Sequence, residues 1–239
     1  MARHSKWHKV RQFKGAIDAK RSTSFTKLAR EITVAAREKG GDPTMNARLR
    51  AAVERARAAS LPKDNIDRAI ARGAGVGGEG QIESLVYEAY APGGTALIIE
   101  CLTDNRNRTA SDVKHLLAKH GGSLALSGAV TYLFDHRGVV HLAESIPIDR
   151  HDEYVLAFID AGALDVREEE GIELQSNVHD FAKLSDTVVS LGLKADTVEF
   201  QWIPKSLVET SETIGVAVAE LIEILEDHDD VSRVWSNLA

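Results

Sequence analysis

The pattern of apolar and polar positions divides the chain into two unlike parts, which meet near residue 73. Before that point apolar residues recur every three or four positions, which is the period of amphipathic helices. Four such stripes predict four short helices joined by brief turns in a small bundle. The residues predicted to face inward are Val10, Phe13 and Ile17 in the first helix, Phe25, Leu28, Ile32 and Ala36 in the second, Leu49, Val53 and Ala56 in the third, and Ile66 and Ile70 in the fourth.

Small polar residues and glycines between the stripes predict where these helices begin and end. Residues 22–24 offer hydroxyl groups that could cap the second helix. The glycines at 40–41 are predicted to end it, because glycine adopts a left-handed conformation without penalty. Asp42 followed by Pro43 resembles an N-cap and the first position of the third helix. Gly73 is the predicted end of the fourth helix.

From residue 82 onward the period changes to two, which predicts strands alternating with helices. A turn at 136–138 is predicted to join the third strand to the fourth. The predicted strands cover 82–90, 94–103, 128–135, 138–143, 163–168, 171–176, 195–203 and 231–236, and the predicted helices cover 110–120, 149–162, 179–191 and 211–227.

The order of these elements predicts the topology. Residues 138–203 follow the β-α-β-β-α-β order of ferredoxin-like domains. A β-β-α-β segment precedes that unit and an α-β segment follows it, so the unit is predicted to be an insertion; three consecutive domains are the alternative. The predicted α+β protein has a basic helical domain at 1–76, a discontinuous α/β domain made of 77–136 and 205–239, and an inserted ferredoxin-like domain at 137–204.

Charge is distributed as unevenly as the apolar pattern. The chain holds 29 Lys and Arg against 36 Asp and Glu, yet its first 72 residues contain 18 of the former and 7 of the latter, a local net charge of +11. The remainder of the chain carries −18. Asymmetry of this size points to a polyanionic partner such as nucleic acid, because Lys and Arg bind phosphates and release their counterions. A solvated charged face, which most helical proteins possess, is the alternative.

The residues expected to contact that partner are mostly basic. Lys and Arg side chains would contact phosphates, which position a nucleic acid without reading its sequence, while Trp7 could stack on bases. The candidate nucleic-acid-binding residues in the helical part are Arg3, His4, Lys6, Trp7, Lys9, Lys14, Lys20, Arg21, Arg48, Arg50, Arg55, Arg57 and Lys63.

A second polar stretch, 102–109, contains Arg106 and Arg108 in a predicted loop before a helix that Thr109 could cap. Two arginines at a helix N-terminus could bind phosphate, because the free backbone N–H groups and the helix dipole favour anions there. They could equally pair with carboxylates of the acidic remainder and stabilise the fold. The sequence leaves both alternatives open.

Enzymatic chemistry has no support in the sequence, which contains no nucleophile elbow, phosphate loop or pair of catalytic carboxylates. His4 and His8 have the spacing of metal ligands on a helix, but no third ligand accompanies them. We therefore expect no catalytic residue, metal, cofactor or small-molecule substrate. No apolar run approaches the ~18–20 residues that span a bilayer, and a single cysteine, Cys101, suits a reducing compartment. A cytoplasmic protein without membrane contact is expected.

Several longer motifs resemble the YebC family of bacterial proteins. The resemblance runs from residue 4 to the C-terminus and is densest over 4–135. Arg3 departs from the family, which usually has glycine at that position, and it adds positive charge. Family members are built from an N-terminal helical domain and two α/β domains, which agrees with the architecture predicted here. The motifs are HSKW at 4–7, FTKLAREITVAAR at 25–37, GGDP at 40–43, LPKDNIDRAIARG at 61–73, YEAYAPGG at 87–94 and ECLTDNRNRT at 100–109.

The resemblance implies a nucleic-acid-binding regulator of gene expression. Bacterial members are usually described as probable transcriptional regulators, whereas mitochondrial relatives are described as translational activators of a cytochrome oxidase subunit. A DNA-binding transcriptional regulator is therefore the first expectation, and a translation factor associated with the ribosome or ribosomal RNA is the alternative. A protein-interaction scaffold and a metal-dependent nuclease are more distant alternatives. The sequence contains no helix-turn-helix with a clear recognition helix, zinc finger or leucine zipper.

Overall fold

The computed structural model of the protein describes residues 19–75, 82–142, 146, 148–168 and 171–239. Helices come first and two four-stranded antiparallel sheets follow, which confirms the predicted α+β class. The predicted first helix lies outside the described residues. In chain order the elements are α1 (Ala19–Lys39), α2 (Ala47–Ala58), α3 (Lys63–Gly73), β1 (Glu83–Tyr90), β2 (Ala96–Thr103), α4 (Arg106–Lys119), β3 (Ser123–Leu124), β4 (Phe134–Leu142), α5 (His151–Asp160), β5 (Ala163–Arg167), β6 (Ile172–Asn177), α6 (Phe181–Ser190), β7 (Thr197–Pro204), α7 (Glu212–Asp227) and β8 (Val231–Ser236).

Residues 19–75, called the helical unit below, pack α1, α2 and α3 around a small apolar core. Ile32 of α1, Leu49 of α2 and Ile66 of α3 are buried between the helices. Phe25 and the other partly buried apolar residues of α1 pack against the same cluster. The predicted inward stripes of the second, third and fourth helices are therefore confirmed.

Two predicted helix starts are wrong, whereas the predicted end at Gly73 is confirmed. Residues 22–24 lie inside α1. The second helix of the unit begins after the fully buried Asn46, not after Asp42, because the Asn46 side-chain oxygen accepts a backbone N–H of the first turn and its amide donates to two carbonyls at the end of α1. Gly73 is the last residue of α3, as predicted. A Cβ there would approach the Thr33 carbonyl oxygen to 2.3 Å, so this glycine also permits close packing of α3 on α1.

The first sheet has the strand order β3-β1-β2-β8, with α4 and α7 on one face. Leu97 and Ile99 of β2 are fully buried against Leu117 of α4 and Leu221 of α7. Strand β8 comes from the C-terminus and pairs antiparallel with β2. The chain therefore leaves this sheet, forms the second one, and returns to complete the first.

The second sheet has the order β5-β6-β4-β7 with all neighbours antiparallel, and α5 and α6 cover one face. This is the β-α-β-β-α-β arrangement of ferredoxin-like domains. Phe158 of α5, Leu174 of β6 and Leu184 of α6 form its core. The predicted inserted ferredoxin-like unit is confirmed as a fold, whereas the predicted domain boundaries at residues 76, 136 and 204 stay predictions.

The predicted turn at 136–138 is wrong, because β4 runs unbroken through it. Gly138 lies beneath the Phe181 ring, where a Cβ would come within 2.3 Å of the aromatic carbon atoms, so the glycine serves helix–sheet packing. The strand predicted just before it, 128–135, is mostly a loop. The Glu88 carboxylate accepts the backbone N–H groups of residues 128, 130 and 131, at 2.6, 2.7 and 2.9 Å, which removes them from any strand ladder.

Candidate nucleic-acid interface

The candidate residues nearest the N-terminus cannot be placed from the described part of the chain. Lys20 and Arg21 lie in the first turn of α1, and only their backbone is described. The candidates that lie outside the described residues are Arg3, His4, Lys6, Trp7, Lys9 and Lys14.

The sequence suggested that the arginines of α2 project into solvent, but Arg48 and Arg50 pair with carboxylates. Arg50 extends to Asp186 of α6, with 2.8 Å between guanidinium nitrogen and carboxylate oxygen. Arg48 pairs with Glu38 within the helical unit at 2.5 Å. Both arginines are therefore partly neutralised by a carboxylate.

Arg55 is held most firmly among the candidates on α2. It pairs with Glu31 of α1, and it also donates to the Val198 carbonyl oxygen at 3.1 Å and to Glu199 at 3.3 Å, both on β7. Its side chain is 21% exposed, against 8% for Glu199. Arg57, two positions further along the same helix, is exposed.

Two cations that the sequence did not single out also reach across from α1. Lys27 donates to the Glu226 carbonyl oxygen at the end of α7. Arg30 donates to the Asp229 carbonyl oxygen at 2.9 Å and pairs with Asp230 at 2.8 Å. Burial lowers the pKa of Lys27, although the neighbouring carboxylates, Glu226 foremost, oppose that change.

Two groups stand out among the basic residues of the helical unit; Arg48 and Arg68 bond within the unit, and the exposed Arg37 donates to the Ile82 carbonyl oxygen. The body-facing cations, Lys27, Arg30, Arg50 and Arg55, bind residues of the two sheet domains, which we call the body (82–239 as far as described). The exposed cations Lys39, Arg57 and Lys63, called the outward cations, extend into solvent. Part of the charge asymmetry in the sequence is therefore satisfied within the protein.

Arg106 and Arg108 lie in the first turn of α4, which begins earlier than predicted. Asn105, not Thr109, caps the helix, since its side chain accepts the Arg108 backbone N–H at 3.1 Å. The Arg108 guanidinium bonds to Asp104 at 3.0 Å and to Asp230 at 2.9 Å. Both side chains are exposed, but Arg108 pairs with two carboxylates, which is the geometry of the bracing alternative that the sequence left open.

Asp230 joins the helical unit to the first sheet. Its carboxylate is 3% exposed and accepts from Arg30, from Arg108, and from the Thr109 hydroxyl at 2.8 Å. Burial alone would raise the pKa of Asp230, but the hydrogen bonds from Arg108 and Thr109 and the nearby positive charge lower it below its ordinary value. The group is therefore an ionised acceptor shared by two domains.

Glu199 plays the same part on the second sheet. Its carboxylate accepts from Arg55 of the helical unit and from Arg233 of β8, the latter at 2.7 and 3.2 Å. Three segments of the chain, α2, β7 and β8, meet at this one side chain. No motif in the sequence distinguishes it from the exposed glutamates of the body.

A partly buried aromatic contact lies beside this junction, and the sequence did not indicate it either. The Trp202 indole donates to Glu100 at 3.0 Å, and the exposed His136 ring stacks on Trp202 with centroids 4.4 Å apart. Burial raises the pKa of Glu100, although the Trp202 hydrogen bond opposes this. Although the residue as a whole is exposed, the desolvation of its ring among neighbouring side chains, with the nearby Arg48 charge, lowers the pKa of His136.

A polar cavity of about 460 Å³ lies where α1, α4 and the turn between α7 and β8 meet. Two guanidinium groups face four carboxylates there, so its lining disfavours a phosphate. Over the described parts of the chain, no cluster of three His, Cys, Asp or Glu side chains could hold a metal ion. None of the described helices is both long and apolar enough to cross a bilayer. The cavity is lined by Arg30, Arg108, Asp112, Asp227, His228, Asp229 and Asp230.

Comparisons with known proteins cover nearly the whole chain. Residues 5–76 match the model of the TACO1/YebC protein N-terminal domain, and residues 82–238 match that of the TACO1/YebC second and third domain. A protein of Roseiflexus castenholzii is 47% identical over 242 residues, covering 100% of this chain and 95% of its own. One of Thermosipho melanesiensis is 45% identical over 237 residues, covering 99% and 93%. Both are named probable transcriptional regulatory proteins.

The same likeness extends to a solved structure. The crystal structure of a conserved hypothetical protein from Aquifex aeolicus, Aq1575, superposes with a TM-score of 0.84 at 38% identity, covering 98% of this chain and 97% of the other. The family models, the relatives and the fold agree, and the chain belongs to the TACO1/YebC family.

Proposed function

We propose that the protein is a cytoplasmic, nucleic-acid-binding regulator of gene expression, and that it acts as a DNA-binding transcriptional regulator without catalytic turnover. The observation that carries the proposal is the charge of residues 1–21, which contain seven Lys and Arg and one acidic residue. The body's carboxylates neutralise cations on α1 and α2, whereas the outward cations add to this N-terminal charge.

Relatives of known name support regulation as the role. Proteins 45–47% identical to this chain over their full length are named probable transcriptional regulatory proteins. A regulator of that kind requires affinity for nucleic acid, and the basic N-terminal region supplies it by contacting phosphates. The first contact is therefore electrostatic. The cations of residues 1–21, together with Arg57 and Lys63, bind the phosphate backbone of the nucleic acid.

A translation factor on the ribosome is the second candidate, and one observation favours it. Residues 73–239 carry −18, so the body repels the phosphates of a long DNA duplex that extends past the helical unit. A folded RNA that offers a local patch of phosphates, recognised by shape and backbone, avoids that repulsion. The absence of a known groove-reading motif from the sequence points the same way.

Crosslinking in living cells, followed by sequencing of both DNA and RNA, separates the two candidates. The transcriptional proposal predicts reproducible peaks at promoters. Enrichment of ribosomal RNA without such peaks would overturn it and favour the translational role. A variant with Lys6, Lys9 and Lys14 changed to Gln is the control, since either form of the proposal requires its signal to fall. Metal-dependent cleavage of nucleic acid by the purified protein would contradict both.

A further inference from the structure

The body-facing cations bind acceptors on three separate parts of the body. Lys27 reaches the end of α7 and Arg30 the turn after it, while Arg50 reaches α6 and Arg55 reaches β7. The acceptors are carboxylate and carbonyl oxygens. These are the same kind of oxygen acceptor that a guanidinium or ammonium group meets on a phosphate backbone.

The contacts differ in how firmly the body holds each cation. At one end Arg30 binds Asp230, a carboxylate 3% exposed with several other donors. At the other end Arg50 and Asp186 are 29% and 60% exposed, and pairs of this kind contribute little to stability. The interface therefore has a firm end at the α7–β8 turn and a weak end where α2 meets α6.

Arg55, which is also on α2, is hydrogen-bonded to the body only in part. Its two terminal nitrogens have acceptors, but its buried Nε has no hydrogen-bond partner among the described residues. A buried donor without a partner costs free energy that a different arrangement recovers. The contact between α2 and the body is thus less favourable than its number of ion pairs suggests.

We propose that Arg50 and Arg55 of α2 are a second set of phosphate-binding groups, which the acidic body occupies in this closed form. Nucleic acid and the body compete for the same two guanidinium groups. Phosphates that displace Asp186 at the weak end extend the bound surface from the outward cation Arg57 to Arg50, seven residues before it and so on the same side of the helix, and then to Arg55. The inference rests on the proposed function and adds its regulation, since the body limits affinity.

Removing the competing charge at α6 tests this. In Asp186→Asn, affinity for a fluorescein-labelled duplex DNA at low salt should rise about 2- to 5-fold, because an exposed pair of this kind contributes up to about 1 kcal/mol. The control is Asp152→Asn, which removes the same charge from the exposed surface of α5. Equal affinity of the two variants overturns the inference. If the wild-type protein binds neither this DNA nor a ribosomal RNA fragment, the proposed function itself fails.

A covalent tether tests the same competition without relying on charge. In a variant with Arg50→Cys and Asp186→Cys, a flexible bis-maleimide should join α2 to α6. Cys101 should not react, because it is fully buried and burial, with neighbouring carboxylates, raises its pKa to about 12. The tethered form should bind the DNA several-fold more weakly than the same variant untethered. Equal affinity of the two forms contradicts the competition.

The tether has its own control within the body. Arg150 and Glu153 form an exposed pair three residues apart. Changing both to Cys and joining them with the same reagent adds the same chemistry without bridging to the helical unit. DNA affinity should not change there, and an equal loss in this control would show that the reagent itself caused the effect.

Discussion

Two arginines on α2 show how differently the same residue type can serve in one helix. Arg55 pairs with Glu31 and with Glu199, and it lies in a junction of three chain segments. Arg57, two residues further on, is exposed. A helix turns about 200° over two residues, so neighbouring arginines of one charge run point to opposite environments. In the closed form Arg55 stabilises the fold, while Arg57 is exposed to a partner.

The difference changes what the charge of the N-terminal region means. A net charge of +11 over 72 residues suggested a single cationic surface for nucleic acid. The body-facing cations, however, bind carboxylate and carbonyl oxygens of the body, whereas the outward cations have no carboxylate partner among the described residues. Charge asymmetry between two segments therefore indicates either an external polyanion or a domain interface, and the body-facing cations show that part of it here belongs to an interface.

The largest expected effect on stability concerns Glu199, the carboxylate of the body that accepts from Arg55. Changing Glu199 to Ala leaves Arg233 and Arg55 without their buried acceptor, and removing one partner of a buried pair costs about 3 kcal/mol. Urea unfolding should show this loss in the free energy of unfolding. Glu153→Ala, which breaks the exposed pair with Arg150, is the matched control and should leave stability unchanged. If the two changes lowered the free energy of unfolding equally, Glu199 would not hold the three chain segments together.

Asp230→Asn should have the next largest effect, a loss of about 2 kcal/mol, since the charged acceptor of Arg30 and Arg108 disappears. The loss should depend on pH. The folded-state pKa of Asp230 is lowered, so its contribution is complete above the unfolded-state pKa and is lost as pH falls below about 4 through the folded-state value. Stability measured from pH 7 to 2 should therefore converge for wild type and variant. Parallel curves would contradict the assignment.

Much of the architecture could be predicted because periodicity reports which side of an element is buried. The strand at β8 and the helix at α7 lie within one residue of their predicted positions. The ferredoxin-like insertion followed from element order alone. Gly138 was misread as a turn because a glycine required by the Phe181 ring looks identical in sequence to one required by a turn.

The site was harder to predict than the fold, since its key acceptors are distant in sequence. Arg30 and Asp230 are 200 residues apart, and Arg55 and Glu199 are 144 apart. No local pattern links such pairs, so the sequence could name Arg55 as a cation but not its partner. Asn46 was missed for a similar reason, because its carbonyl acceptors belong to the end of α1.

The arginines of α4 offer a smaller test of the same contrast. Arg108→Ala should lower the melting temperature and leave DNA affinity unchanged, because its guanidinium is bound to Asp104 and Asp230. Arg106→Ala should leave the melting temperature unchanged, because this side chain is exposed. Thermal unfolding of the two single variants, compared side by side, checks this. A lower melting temperature for Arg106→Ala than for Arg108→Ala would mean that the ion pairs of Arg108 do not stabilise the fold.

The smallest expected effect concerns the outward cations. Arg57→Gln should weaken DNA binding a few-fold and reduce the slope of log K against log salt by about 0.9, the value for one lost phosphate contact. It should not change the melting temperature. Arg55→Gln is the matched change on the same helix and, unlike Arg57→Gln, should lower the melting temperature. Identical behaviour of the two variants would remove the distinction between the two kinds of cation.

The central claim, that nucleic acid contacts the N-terminal region and the outward cations, is tested most directly by mapping the contact. Ultraviolet crosslinking of the purified protein to duplex DNA or to ribosomal RNA, followed by mass spectrometry of the peptides, identifies the contacting residues whichever partner is physiological. The account predicts crosslinks in residues 1–21 and in the peptides carrying Arg57 and Lys63. Crosslinks confined to the body, with none in the first 72 residues, would contradict it.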